Sequence, residues 1–534
     1  MSMNAQHRER RQRLRSLRAR AHQHNHKPVT ARETMESSTM RKRRFDKAGS
    51  ATVIAGLLLV GADVAFADTA TESATALSAT ADTPAGATAN ADTSAATCNA
   101  KRPVVLFNRW QEDWSVLANP CVPRKPLDSL KYIPLGGDPA SYLSLGVNLR
   151  ERVESNNAPL FGIGTQSDTY LIQRIEVHAD AHLADHWQFF VQFEDARAFG
   201  KNVVTPVDKN PLDLEQAFVT YTGALGGGTF KFRVGRQEMA FDLQRFISVR
   251  DGPNVRQAYD AIWADYEYQK WRFIAYATQP VQNRDATVFD DVSNRDLTFS
   301  GVRFERKSVG PGDLSGYWSR YNRSNARFLD ARGPERRDVW DVRYSGSHDR
   351  FDWDVETMLQ TGTVGNNTIF AWAVGSIAGY KLDLPWSPHV AVQVDAASGD
   401  RHPHDGRIET FNTLFPNGYY FTLAGYTGYS NLIHIKPSIT LKPTNDLALL
   451  AALGFQWRET TGDALYQQAN QVVPGTAGKG SLWTGMYVQL RADWTIEPNL
   501  IGAIEAVHFQ VGNSLRQAGG HNADYAGVEL KYGW

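Results

Sequence analysis

From Tyr142 to the C-terminus, polar and apolar residues alternate in short segments separated by clusters of Gly, Asn, Asp and Pro. In 142–152, Leu143, Leu145, Val147 and Leu149 share one face; Ser144, Asn148, Arg150 and Arg152 share the other. In 171–183, Ile175, Val177, Ala179, Ala181 and Leu183 oppose Arg174, Glu176, His178, Asp180 and His182. A tight turn at 184–186 leads into Trp187, Phe189, Val191 and Phe193 against Gln188, Gln192 and Glu194. The segments 432–442 and 447–457 repeat the pattern, and the last sets Ala526, Val528, Leu530, Tyr532 and Trp534 against Tyr525, Glu529 and Lys531. A period of two is that of a half-buried β-strand, and no run keeps a 3.6-residue period over three turns.

Cost decides which face meets lipid. A charge at a bilayer midplane costs roughly 2–4 kcal/mol on a barrel strand. The 171–183 segment carries five ionisable groups on one side, so that side faces water and the apolar side faces lipid. Two features favour a membrane barrel over a soluble sandwich. Short turns (184–186, 268–270, 443–446, 496–499) alternate with long ones (199–211, 279–296, 398–416, 459–480). The chain also ends on an aromatic, Trp534, in an alternating strand, the pattern that outer-membrane assembly machinery reads by β-augmentation. The prediction is an all-β fold: a transmembrane antiparallel up-and-down β-barrel of about 18 strands over 142–534, with inward-folded loops. A barrel of about 16–18 strands encloses an aqueous channel. Trp187, Tyr344, Trp353, Trp494 and Tyr532 fit interface belts beside lipid and lipopolysaccharide.

Composition refines the picture at the N-terminus. Lys+Arg and Asp+Glu both number 57. Fourteen of those bases but five of the acids precede Asp68, so a basic leader meets an acidic body. An acidic body is a poor nucleic-acid binder. A mean hydropathy of −0.41 excludes a polytopic helical membrane protein and leaves a barrel open. Residues 1–67 read as a leader: a basic patch at 41–47, an apolar run at 51–62 and Ala65-Phe66-Ala67 before the cleavage point. Translation starting at Met35 or Met40 would give it ordinary length. Residues 68–100 are an Ala/Thr-rich tether without the means to bury a core. Residues 101–141, with Trp110 and Trp114, are expected to form a small periplasmic cap or plug. Export places Cys98 and Cys121 in an oxidising compartment, where they can form one structural disulfide.

The candidate chemistry lies on the wet side. Lys231 and Arg233 alternate with Phe230, Phe232 and Val234, and Gly235-Arg236-Gln237-Glu238 follows. The segment 245–256 is not amphipathic; it concentrates Arg, Asp and Asn beside Gly and Pro, as an inward-folded loop would. Guanidinium groups oriented by carboxylates bind carboxylate or phosphate bidentately, and rings of Arg/Lys select anions in pores.

Six segments, 134–136, 142–146, 149–152, 234–238, 249–256 and 411–416 (Pro-Leu-Gly, Tyr-Leu-Ser-Leu-Gly, Leu-Arg-Glu-Arg, Val-Gly-Arg-Gln-Glu, Val-Arg-Asp-Gly-Pro-Asn-Val-Arg and Phe-Asn-Thr-Leu-Phe-Pro), resemble the alginate export family of outer-membrane proteins. The likeness covers roughly 101–534; the leader, the tether and the Cys98–Cys121 segment depart from it. The resemblance implies a monomeric eighteen-stranded barrel whose electropositive constriction passes an anionic polysaccharide, with periplasmic export scaffold proteins as further partners. Arg236, Arg250, Asp251, Asn254 and Arg256 match the family's arginine-rich motifs, with Arg150, Arg152 and Arg174 beside them. No cofactor and no metal site is implied.

Other readings are a general or small-carboxylate uptake porin and a barrel-embedded hydrolase. For the hydrolase, His434 and Ser438 share a strand face but stand about 13 Å apart at roughly 3.3 Å per residue. A nucleophile and its base need about 3 Å. Asp352, Asp354 and Glu356, at alternate positions, face the watery bore more simply than they form an acid–base pair. The acidic stretch 285–296 lacks a spaced Ca²⁺ ligand pattern and reads as an outer loop bridged to lipopolysaccharide by cations. The expectation is therefore a channel, not an enzyme.

Overall fold

The structure is a computed structural model that describes residues 102–534. The leader 1–67, the 68–100 tether and Cys98 lie outside the described residues; Cys121 is in a disulfide. The alternating segments form eighteen strands: β1 Tyr142–Asn156, β2 Asp168–Leu183, β3 Trp187–Phe199, β4 Asn210–Leu225, β5 Gly228–Glu238, β6 Ala258–Tyr268, β7 Trp271–Gln282, β8 Leu297–Val309 and β9 Gly312–Arg327 make the first half. The second half is β10 Arg332–His348, β11 Phe351–Val364, β12 Asn367–Lys381, β13 His389–Ala397, β14 Leu432–Leu441, β15 Leu447–Trp457, β16 Trp483–Glu497, β17 Leu500–Val511 and β18 Ala523–Gly533. Each pairs antiparallel with its neighbour. β1 closes the cylinder on β18, with Asn148 opposite Gly533 and Asn156 opposite Tyr525. Closure leaves no unpaired edge, the condition for a β-structure in lipid. Trp534 completes the seam: its N–H donates to the Val147 carbonyl (2.8 Å) and its carbonyl accepts from the Val147 N–H (2.6 Å).

The wall has the polarity its cost argument requires. Ile504 is 62% exposed and Ile262 52% on the outer face, whereas Arg152 and Arg337 are 1% and 0% exposed on the inner one. A soluble sandwich would have these the other way round. Trp187, Tyr344, Trp353, Trp494 and Tyr532 all lie near the short-turn rim or the chain end, where Trp187 packs on Tyr221 (5.1 Å) and Tyr344 on Trp353 (6.0 Å).

Two connections at the long-loop end are short. β9 and β10 are joined by 328–331, and β11 and β12 by 365–366. These strands run on as paired hairpins, so extended strand replaces loop. In the other direction, the connection expected at 398–416 continues to 431 before β14 begins. Its second half carries Tyr419, Tyr420, Phe421, Tyr426 and Tyr429, and most of these rings are buried inside the barrel.

Candidate functional site

Two loops, 239–257 and 398–431, fold into the bore. They do so because part of the inner wall is apolar: Tyr259, Tyr276, Phe299, Tyr317 and Tyr321 form one cluster with Met239, Phe241, Phe246 and Ile247 of the first loop and Phe411, Leu414 and Phe415 of the second. The loops are joined to each other. Ile247 and Phe415 form a parallel bridge, and the Phe415 N–H donates to the Phe246 carbonyl (2.9 Å). At Gly252 an added Cβ would stand 2.9 Å from the Tyr419 ring. Gly252→Ala is therefore expected to part the loops or strain them by about 1–3 kcal/mol. Tyr419→Ala should relieve the penalty in a double-mutant cycle of urea unfolding; additive single and double effects would show that the contact does not matter.

Arginines hold this assembly at mid-barrel. Arg150 donates from Nη1 to the carbonyls of Asp251 (3.0 Å) and Pro253 (3.1 Å) and from Nε to Glu529 (2.6 Å). Arg174 donates to the Asp251 carboxylate (2.5 Å) and the Asn254 carbonyl (3.2 Å). Asp251 also accepts from Arg256 (3.1 Å) and from Lys531 (2.9 Å). Arg256 pairs with Glu238 through Nη2 (2.7 Å). Asn254 donates to the carbonyls of Arg197 and Asp208 (both 2.9 Å), which staples the loop to the wall. Arg152 lies in a cage of Glu154 (2.5 Å), Glu505 (2.5 Å) and Glu529 (3.2 Å).

Arg250 differs from all of these. No hydrogen bond or ion pair among the described residues engages its guanidinium, which is flanked by Tyr259 and Tyr321. Its backbone is left-handed, with φ 56°. It is thus a partly exposed cation on an inward loop whose other arginines are paired, Arg256 with Glu238 and Arg245 with Asp354 (2.6 Å) and Glu356 (2.7 Å).

The structure corrects one expectation. Arg236 shares its parity with Phe232 and Val234, which are exposed on the outer face, and it pairs with Asp260 (2.9 Å), which shares parity with exposed Ile262. It therefore stands outside the bore. Lys231 and Arg233 have the inward parity, near the short-turn end. Arg233 donates to Thr220 (3.1 Å) and lies 3.7 Å from the Trp110 ring centre. Trp110 belongs to the segment before β1, which enters the bore from that end. Arg109 of the same segment, 2% exposed, donates to Asn148 (3.0 Å) and to the Trp534 carbonyl (2.9 Å), and Phe107 lies under the Arg256 guanidinium (4.5 Å).

Two working residues were missed by sequence reasoning. Lys531 was legible, since it shares the inward parity of Glu529. Tyr419 carried no signal, because nothing local aims it at Gly252. The candidate hydrolytic residues are otherwise engaged. His434 bridges Asp395 (3.0 Å) and Tyr487 (2.9 Å) in the wall, Asp354 pairs with Arg245 and Arg343, and Asp352 faces His389 (2.8 Å).

Comparison with known proteins gives a consistent picture. A family model described as alginate export matches residues 141–529. No curated protein sequence matches. Among solved structures the barrel is similar to a BenF-like porin from Pseudomonas fluorescens Pf-5 (10% identity, TM-score 0.51, 73% of this chain and 98% of that one). It is also similar to Pseudomonas aeruginosa OccK2 (OpdF) (10%, 0.50, 73% and 97%) and OccK8 (OprE) (9%, 0.50, 73% and 98%). At these identities the likeness is one of fold.

Proposed function

The chain belongs to the alginate export family, and from that premise we propose an outer-membrane channel that passes an anionic, carboxylated polysaccharide or its oligomers through an arginine-lined bore. The observation that carries this reading is Arg250. Around it, each arginine of the mid-barrel set is matched by a carboxylate, so those groups position the loop and cancel in the field. Arg250 adds a positive charge with no carboxylate bonded to it where the two loops narrow the bore. A uronate carboxylate can accept a bidentate pair of hydrogen bonds from it without displacing an existing partner. Weak binding at one such point, repeated as each sugar passes, attracts the chain and still lets it leave. Passage of a polymer then requires the 398–431 loop to lift from Gly252, since the two loops touch there.

Planar-bilayer recording tests the reading. Uronate oligomers are expected to interrupt the current through the purified channel, and neutral glucans of equal length are not. A cation-selective pore that uronate oligomers never block would overturn it. The second reading, uptake of small carboxylates, is favoured by the narrowing itself. It would show as block by monomeric uronate as strong as that by the oligomer.

A further inference from the structure

Among the described residues, two trios of carboxylates bring oxygen atoms within 4.8 Å of one another, the spacing of ligands around one cation. The first, Asp242, Asp341 and Glu356, lies inside the bore. Arg303 and Arg343 already engage Asp242 (2.7 and 3.0 Å), and Arg245 engages Glu356 (2.7 Å). A metal ion there would meet three guanidinium groups. The second, Asp213, Asp290 and Asp291, lies at the long-loop rim, where the 283–296 loop is laid against the start of β4.

In the second trio no Lys or Arg side chain bonds any member. Asp213 accepts the N–H groups of Leu214 (2.7 Å) and Asp291 (3.1 Å), and Asp291 accepts the Arg284 N–H (2.7 Å). Asp290 accepts the Thr287 N–H through Oδ2 (3.0 Å), while its Oδ1 is buried without a partner. The neighbouring arginine, Arg236, is bonded to Asp260.

A second observation comes from a neutral residue on the strand. Asn210 is 1% exposed, its Nδ2 donates to Asp291 Oδ2 (2.7 Å), and its Oδ1 is buried with no partner. The two ends of a side-chain amide are interchangeable in shape. Turned over, Asn210 presents a carbonyl oxygen to the same carboxylate, an arrangement that a shared cation stabilises. As it stands, the Asn210 oxygen is a buried acceptor without a partner, which costs about 1–3 kcal/mol.

We propose that Asp213, Asp290 and Asp291, with the Asn210 amide oxygen, bind one Ca²⁺ ion that ties the 283–296 loop to the outer end of β4. The donors are all oxygen, three of them charged, on a loop and a strand end that can adjust to the irregular coordination Ca²⁺ accepts. The site lies outside the bore constriction and does not depend on what the bore passes.

The test uses the mature chain refolded in lipopolysaccharide-free micelles and stripped with a chelator. Arg284 and Arg295 are exposed on the loop and report its order as trypsin sites. With Ca²⁺ at ten times its dissociation constant, cleavage at these sites should slow by about tenfold, and calorimetry should count one ion per chain. Asp290→Asn and Asp291→Asn should each lose that protection while keeping the heat-modifiable gel shift of an intact barrel. Asp296→Asn, on the same loop, should keep it. The proposal is overturned if Ca²⁺ leaves wild-type cleavage unchanged, or if Asp290→Asn is protected like wild type. Protection that appears only after lipopolysaccharide is added also overturns it, because the ion would then bridge to lipid. The wild-type arm decides the matter even if both variants fail to fold.

Discussion

Arg250→Ala is expected to shift the reversal potential of the channel toward the cation side, with the barrel fully folded. The guanidinium makes no hydrogen bond or ion pair among the described residues, so its removal strands no acid and breaks no contact that holds the loop. A unit charge acting on a passing ion at about 4 Å is worth about 1 kcal/mol in bulk water. That corresponds to about a fivefold fall in anion permeability, with an opposite change for cations. Low ionic strength should enlarge the effect, because screening shortens the reach of the charge. Arg236→Ala is the matched control. It removes the same charge from the outer face and should leave the reversal potential where it was. Equal shifts in the two variants would show that bulk charge, not a placed cation, sets selectivity. No shift in Arg250→Ala would remove Arg250 from the site.

Arg152→Ala should have the largest effect on stability. The side chain is 1% exposed and pairs with Glu154, Glu505 and Glu529. Truncation leaves buried carboxylates facing one another, and breaking a buried pair from one side costs about 3–5 kcal/mol. Glu529 keeps Arg150 and Glu505 keeps Arg491 as partners, so Glu154 bears most of the loss. Urea unfolding in micelles should show a lower midpoint, and less protein should reach the heat-modifiable form. Adding Glu154→Gln to Arg152→Ala should recover part of the deficit, since it removes the stranded charge. A midpoint unchanged by Arg152→Ala would mean that water reaches the cage and the carboxylates are not desolvated.

The two variants separate the kinds of arginine this barrel contains. Most are structural ions, held in pairs because a lone charge in the bore wall is costly. Arg150, Arg174 and Arg256 sort with Arg152, and all three converge on the loop segment 251–254, through its backbone carbonyls or the Asp251 carboxylate. Asp251 is the common latch, reached from β2 by Arg174 and from β18 by Lys531. The selectivity reading of the whole cluster therefore narrows to the residue the cluster leaves uncompensated. Truncating a latch arginine would change both loop position and charge, so only Arg250 isolates the electrostatic effect.

How much was legible in the chain follows from the range of the physics involved. Alternation is a property of neighbouring residues, so the strands, the inward parity of Arg150, Arg152 and Arg174, and the outward parity of Ile175 and Val177 could be read directly. The same rule, applied strictly from Phe232 and Val234, puts Arg236 outside; family likeness pointed to the bore and was the weaker guide. The inward course of 245–256 was also readable, because a segment rich in Arg, Asp and Asn without an apolar face has no place in lipid. What it meets was not. Asp251 finds its partners in Arg174 and Lys531, 77 and 280 positions away, and Gly252 meets Tyr419 of a different loop. A period of two states which way a side chain points and nothing about what lies across the bore. Closing the cylinder decided which charges cancel, and so left the Arg250 guanidinium without a hydrogen bond or ion pair among the described residues.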